Sequence, residues 1–204
     1  MNTIFEKPES THEILHEVGK GNARVLQNGL WKKATYKNAL KIDFSENFGT
    51  RTCYPLQMRE IYPLVTELGV SEMGVYSAGF NSFVDNFVFP LTMFLQVFKK
   101  GLGIKLCGKL MQQNIIKNFT GESGVEFKLI ASGIKNCTET SYIIEVHSPN
   151  AFEFTAQAVV ACLKQYLGNH IDKPGLYLMG NVVNENTLIE DLKGMGLTIN
   201  EKQY

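Results

Sequence analysis

Net charge is what this chain most plainly lacks. Its 20 lysines and arginines cancel its 20 aspartates and glutamates. That balance argues for neither nucleic acid nor a membrane surface as the main partner, and it permits self-association. Long hydrophobic runs are missing too. The longest apolar stretch, residues 80–98, is broken by Asn81, Asp85, Asn86, Pro90 and Gln96, so no spanning helix is expected. Cysteine is sparse and scattered. Cys53, Cys107, Cys137 and Cys162 form no CxxC pair, which excludes finger-type zinc spacing and a dense disulfide framework. The opening MNTIFEKPES is polar and of mixed charge, unlike a signal peptide. The expectation is a reducing, cytoplasmic setting.

The common catalytic and nucleotide motifs are also missing. Gly19-Lys-Gly21 has Arg24 where a third glycine belongs, and the text after it is strand-like. Gly101-Leu-Gly103 follows a helix-like segment. A dinucleotide fingerprint needs strand, turn and helix in that order, so this chain alone is expected to bind no cofactor. Ser123 in Gly121-Glu-Ser-Gly124 lacks the context of a nucleophile elbow. His12 and His16 are four apart, but their segment, EILHEV, reads as strand, so no metal site is expected. His147 ends a strand, and His170 stands alone.

What is present is the patterning of a folded α+β protein, 44% apolar and 20% charged. Residues 1–11 read as a loose lead-in, and residues 12–44 as a run of strands. Asn28-Gly29 between them fits a tight hairpin turn. Residues 56–68 read as a short helix stopped by Gly69. A strand follows around Val75, Ser77 and Gly79. Residues 82–99 read as an apolar helix, kinked at Pro90 or broken after Phe89; Asn81, Ser82 and Asp85 open it as caps. Residues 105–119 read as a more basic helix.

The clearest unit is 121–168. Val125, Phe127, Leu129 and Ala131 alternate with Glu126, Lys128, Ile130 and Ser132 in a strand over 125–133. A second strand, 141–147, follows the loop IKNCTET. Beyond Ser148-Pro149-Asn150 the spacing turns helical. Phe152, Thr155, Val159, Leu163 and Tyr166 form one stripe, with Ala156, Val160 and Leu167 beside it. Asn150 is the expected cap and Gly168 the expected stop. The segment LYLMGNVV reads as extended, residues 185–193 as a helix, and 197–201 as a last strand. The fold class is α+β, with a largely antiparallel or mixed sheet and helices packed on one face.

One arginine stands out for binding. Arg51 lies in the compact loop Phe48-Gly-Thr-Arg-Thr-Cys-Tyr54, where its planar fork can hold a carboxylate, with Tyr54 close by. His147 and Thr155 flank the strand-to-helix junction.

The order of these pieces resembles the region after the Rossmann domain in the saccharopine dehydrogenase-like family. The resemblance rests on GNARVLQNGLWKKATY, on FGTRTCYPLQMREIYPL, on Gly121-Glu-Ser-Gly-Val125 with its hairpin, on Thr155-Ala156 within 150–168, and on the closing PGLYLMGNVVNENTLIEDLKGMGLTI. It implies a lead-in over 1–16, a substrate and dimerisation domain over 17–172, and a segment over 173–204 that returns to the Rossmann domain in full-length relatives. It also implies an amino-acid-derived small-molecule substrate, a substrate site drawn from Arg51, Tyr54, His147 and Thr155, NAD or NADP as the family's cofactor, and a homodimer. The Rossmann half is absent from this chain. The expectation is therefore a fragment, a truncated gene product, or one half of a split enzyme with a separately encoded Rossmann-domain partner, inactive alone. The alternative is a stand-alone, non-enzymatic binding or oligomerisation module.

Overall fold

A computed structural model describes residues 8–44, 48–117, 124–172 and 174–204. The fold is α+β, with three small antiparallel sheets. The chain divides into two compact units, Met1–Thr120 and Gly121–Tyr204. That boundary falls inside the 17–172 span.

The first unit opens with helix α1, Pro8–Lys20. The strand reading of EILHEV is overturned here, and so is a loose lead-in reaching to residue 11. Thr11 and Leu15 are fully buried, while Glu13, His16 and Glu17 are exposed. That is helical spacing, hidden when six residues are read alone. α1 packs on α3, Phe89–Phe98, and α4, Ile104–Lys117. Leu15, Val84, Val88, Cys107 and Met111, all at 0% exposure, form the core. Two glycines permit the close approach. A Cβ on Gly108 would lie 2.7 Å from His12 Cδ2, and one on Gly19 would strike the Gln96 side chain. Gln96 Nε2 donates to the Leu15 carbonyl at 3.0 Å, tying α3 to α1.

Of the kink or break expected at Pro90, the structure shows no break. Residues Val84–Val88 make a π turn, with the Phe89 N–H donating to the Val84 carbonyl. Proline lacks a donor and crowds the preceding turn. The wider turn accommodates it, so the helical run continues into α3 instead of breaking.

Strands β1, Arg24–Gln27, and β2, Leu30–Lys33, form the expected hairpin. Asn28 and Gly29 take φ of 51° and 73°, as its tight turn requires. Strands β3, Leu40–Asp43, β4, Thr50–Leu56, and β5, Val75–Ala78, form a sheet with β4 central. The helix expected over 56–68 is shorter, because Leu56 still pairs with Val75. Only Tyr62–Leu68 is α-helical, as α2, and it ends on left-handed Gly69.

In the second unit β6, Val125–Lys135, and β7, Thr138–Ser148, pair along their whole length. The expected loop IKNCTET shrinks to a turn at Asn136 and Cys137, with φ of 51° and 62°. β8, Thr198–Gln203, adds to the other edge of β7. The segment LYLMGNVV is not a strand; its centre, Met179–Asn181, is a 3-10 turn. Helix α5, Ala151–Leu167, is capped by Asn150, whose side chain accepts from the Phe152 and Glu153 N–H groups. Helix α6, Glu185–Gly194, is capped by Asn184.

The apolar stripe of α5 faces outward instead of backing the hairpin. Phe152, Val159, Leu163 and Tyr166 are exposed, whereas Ala161 and Gln165 are buried. The inner face docks by amide chemistry. Gln165 accepts from the Asn184 N–H at 2.8 Å and donates to the Asn184 carbonyl at 3.1 Å. Gln157 donates to the Met195 carbonyl at 2.9 Å. Small alanines and glutamines matched to free backbone groups near the ends of α6 thus outcompete larger apolar side chains for that face.

Replacing Leu15 with alanine is expected to destabilise the first unit by about 2–5 kcal/mol. The readout is urea unfolding followed through Trp31, the only tryptophan, which packs on Tyr62 in the same unit. A loss under about 0.5 kcal/mol, the size of an ordinary surface substitution, would contradict the helix-trio core.

Candidate functional site

The central strand β4 presents Arg51 opposite Ile42 and Tyr54 opposite Ser77. Arg51 Nε donates to the Phe48 carbonyl at 2.7 Å. This bond fixes one edge of the guanidinium and leaves its two terminal nitrogens as the recognition edge. β5 ends at Ala78, and the chain turns through Gly79 and Phe80 into the helical run. Asn81 is the cap, its Oδ1 accepting from Phe83 N–H at 3.1 Å and Val84 N–H at 3.0 Å.

Asp85 is not a cap. It reaches back, and its Oδ1 accepts from Phe80 N–H at 2.9 Å. A Cβ on Gly79 would lie 2.0 Å from Asp85 Oδ2, so the carboxylate occupies the space a side chain there would fill. Burial pushes the Asp85 carboxyl above its usual range, while the Phe80 and Asn81 N–H groups and the Arg51 charge pull it part of the way back. The Tyr54 phenol is raised, first by burial and then by the Asp85 charge. Asp85 thus feels the Arg51 charge and is felt by Tyr54, while Arg51 and Tyr54, three residues apart on β4, leave opposite faces of the strand. Cys53 is buried with its thiol pushed up by that burial, which suits packing and not nucleophilic chemistry.

His147 and Thr155 belong to the second unit. His147 lies on β7 between Glu126 of β6 and Thr198 of β8. On the same face, Glu145 takes Lys128 and Lys202, each at 2.8 Å, across the strands. Those two ammonium donors hold its carboxyl below the usual range. Thr155 spends its hydroxyl on its own helix, donating to the Ala151 carbonyl at 3.0 Å. A cleft of about 400 Å³ opens beside the end of α5, lined by Tyr166, Leu167, Asn169, Ile171, Asp172 and Pro174.

Sequence reasoning took Asp85 for a cap because caps and buried acids look alike at a helix start. The available signal was its isolation: it is the only acid between Met73 and Phe98. Residues Gly121 to Ser123 of the Gly121-Glu-Ser-Gly124 motif lie outside the described residues. His12 and His16 do share a helix, and His12 lies against Gly108. Among the described residues no group of three His, Cys, Asp or Glu side chains could hold a metal, and no helix is long and apolar enough to cross a membrane. Neither glycine pair fits a dinucleotide. Gly19 and Gly21 close α1 and lead into β1, while Gly101 and Gly103 join α3 to α4, so neither gives strand, turn and helix.

A scan of the chain against protein-family models finds no match, and a search of curated proteins finds none either.

A raised carboxyl makes the fold lose stability as pH climbs from about 4, the ordinary aspartate value, through the raised one. Asp85→Asn keeps an oxygen for the Phe80 N–H and removes the charge. Its stability relative to the wild-type chain should therefore improve steadily over that window, measured by denaturant unfolding at several pH values. A difference that stays flat with pH would contradict the burial of a charged Asp85. Asp85→Ala strands the Phe80 donor and should be about 1–3 kcal/mol less stable than Asp85→Asn at every pH.

Proposed function

We propose that this chain is the substrate-binding and dimerisation part of an NAD(P)-dependent oxidoreductase of the saccharopine dehydrogenase-like kind, acting on an amino-acid-derived substrate. The observation that carries the reading is the partly buried Asp85 carboxylate, held by the Phe80 N–H and lying within the electrostatic reach of Arg51 and Tyr54. An amino acid offers a carboxylate and an ammonium a few ångströms apart. The Arg51 fork takes the carboxylate by paired hydrogen bonds. Asp85 takes the ammonium, which offsets the burial that opposes its charge. Tyr54, kept protonated, donates one further hydrogen bond.

The nicotinamide, which would supply the hydride chemistry, comes with a Rossmann domain, either joined to this chain or encoded separately as a partner. Exposed phenylalanines give that partner a face to meet. Phe83 and Phe87 stack at 5.3 Å, and Phe94 and Phe98 meet edge to face at 5.2 Å along the same helical run as Asp85. The rival reading, a non-enzymatic binding or oligomerisation module, is favoured by the outward apolar stripe of α5. The two differ in whether turnover appears with a cofactor-binding partner.

Calorimetric titration of the purified chain with amino acids and amino dicarboxylates should give saturable binding. Arg51→Lys should weaken it about tenfold, or 1.4 kcal/mol, because an ammonium cannot reproduce the fork. Addition of a Rossmann-domain partner should then give NAD(P)H oxidation with the same ligand. Binding without turnover would favour the rival module. No binding at millimolar ligand would sink the substrate-site reading.

A further inference from the structure

The outward stripe of α5 has a spacing and a charge pattern of its own. Phe152, Ala156, Val159, Leu163 and Tyr166 follow one another at intervals of four, three, four and three. That is the repeat of a helix seam that packs along a second helix. Phe152 is 63% exposed, Val159 59%, Tyr166 60% and Leu167 69%.

We propose that this seam pairs with the same seam of a second copy of the chain, antiparallel, about a two-fold axis near Val159. The inference rests on the dimerisation half of the reading above, and names its surface; it does not depend on the substrate.

Charge selects both the occupant and the direction. At 100° per residue, Glu153 and Lys164 fall on the same flank of the seam, one near each end. When two copies of a helix pair antiparallel across a two-fold, each flank meets itself. Glu153 of one copy then faces Lys164 of the other, at both ends. A parallel pair would bring that flank against the opposite one and lose both contacts. Antiparallel helix dipoles act in the same direction. Lys164 already pairs with Asp191 in its own chain, yet its side chain remains 56% exposed; Glu153 accepts from Asn150 Nδ2 at 3.0 Å. Each leaves hydrogen-bonding capacity for the second copy.

Size complementarity follows the same axis. Small Ala156 comes opposite large Leu163, and Phe152 lands beside Tyr166 and Leu167. An open cleft of about 400 Å³, lined by these two residues together with Asn169, Ile171, Asp172 and Pro174, lies there, and the edge of the phenyl ring meets its apolar side. Aromatic anchors in pockets carry most interface energy. The exposed parts of the seam, with Val160 and Leu167, amount to about 600 Å² per copy at roughly 150–250 Å² per aromatic side chain. Complete burial of both seams would cover about 1,200 Å², the lower bound for a stable specific interface.

Size-exclusion chromatography with light scattering, run across a concentration series, tests this. The wild-type chain should be a dimer. Val159→Lys places two like charges at the axis and should raise the dissociation constant at least about 100-fold. The wild-type residue is exposed, so circular dichroism of the variant monomer should be unchanged. Glu153→Lys should also weaken the dimer, and adding Lys164→Glu in the same chain should restore it. A Val159→Lys protein that stays dimeric at wild-type affinity would overturn the seam while leaving dimerisation itself standing. A wild-type monomer at all concentrations would overturn both. Binding of amino acids at Arg51 is read separately, and neither result moves it.

Discussion

Asp85 sits where burial opposes its charge, and the local backbone is arranged around it. The residue just after β5 must have no side chain, because a Cβ on Gly79 would overlap the carboxylate. The Phe80 amide must point inward to meet it. Asn81 must take over the capping of the helical run, so that Asp85 is free to turn back toward β4. A carboxylate held only for stability would be an odd choice here, since a neutral amide could accept the same hydrogen bond without the burial term. Keeping the charge beside Arg51 and Tyr54 makes sense if a cation is to be met there.

Each side of the site depends on a packing decision elsewhere. The π turn at Val84–Val88 contains Asp85, and that turn stands next to Pro90. Val84 and Val88 from the same turn are the fully buried residues that lock it against α1 and α4. The residue facing the site and the residues facing the core are therefore neighbours on one irregular turn. A regular helix would rotate Asp85 relative to Val84 and Val88 and break one of the two relations.

Elements with strong local rules were readable in advance. Asn28-Gly29 announced its hairpin, Asn150 its helix, and Gly69 its stop, because each is fixed by backbone conformation or a nearby hydrogen bond. Three features were not. EILHEV alternates over six residues like a strand, and only Thr11, Leu15 and the partners on α3 and α4 reveal a helix. An apolar stripe such as that of α5 ordinarily marks the buried face of a helix; the glutamines that bond the backbone beside α6 carry no hydrophobic signal. Asp85 looked like a cap because its distinguishing contacts, to Gly79 and Phe80, depend on a turn that sequence spacing does not show. Arg51 was visible as a candidate, but the buried carboxylate that feels its charge was not. His147 and Thr155 fell in a second unit.

The most direct measurement is the titration of the Asp85 side-chain carboxyl by carbon-detected NMR, with and without a bound amino acid. In the free chain its midpoint should lie above about 4, the ordinary aspartate value. Saturation with an amino acid should bring it down, because the ammonium favours the charged form. A midpoint at or below the ordinary value in the free chain, or one that does not move when ligand saturates, would contradict the account.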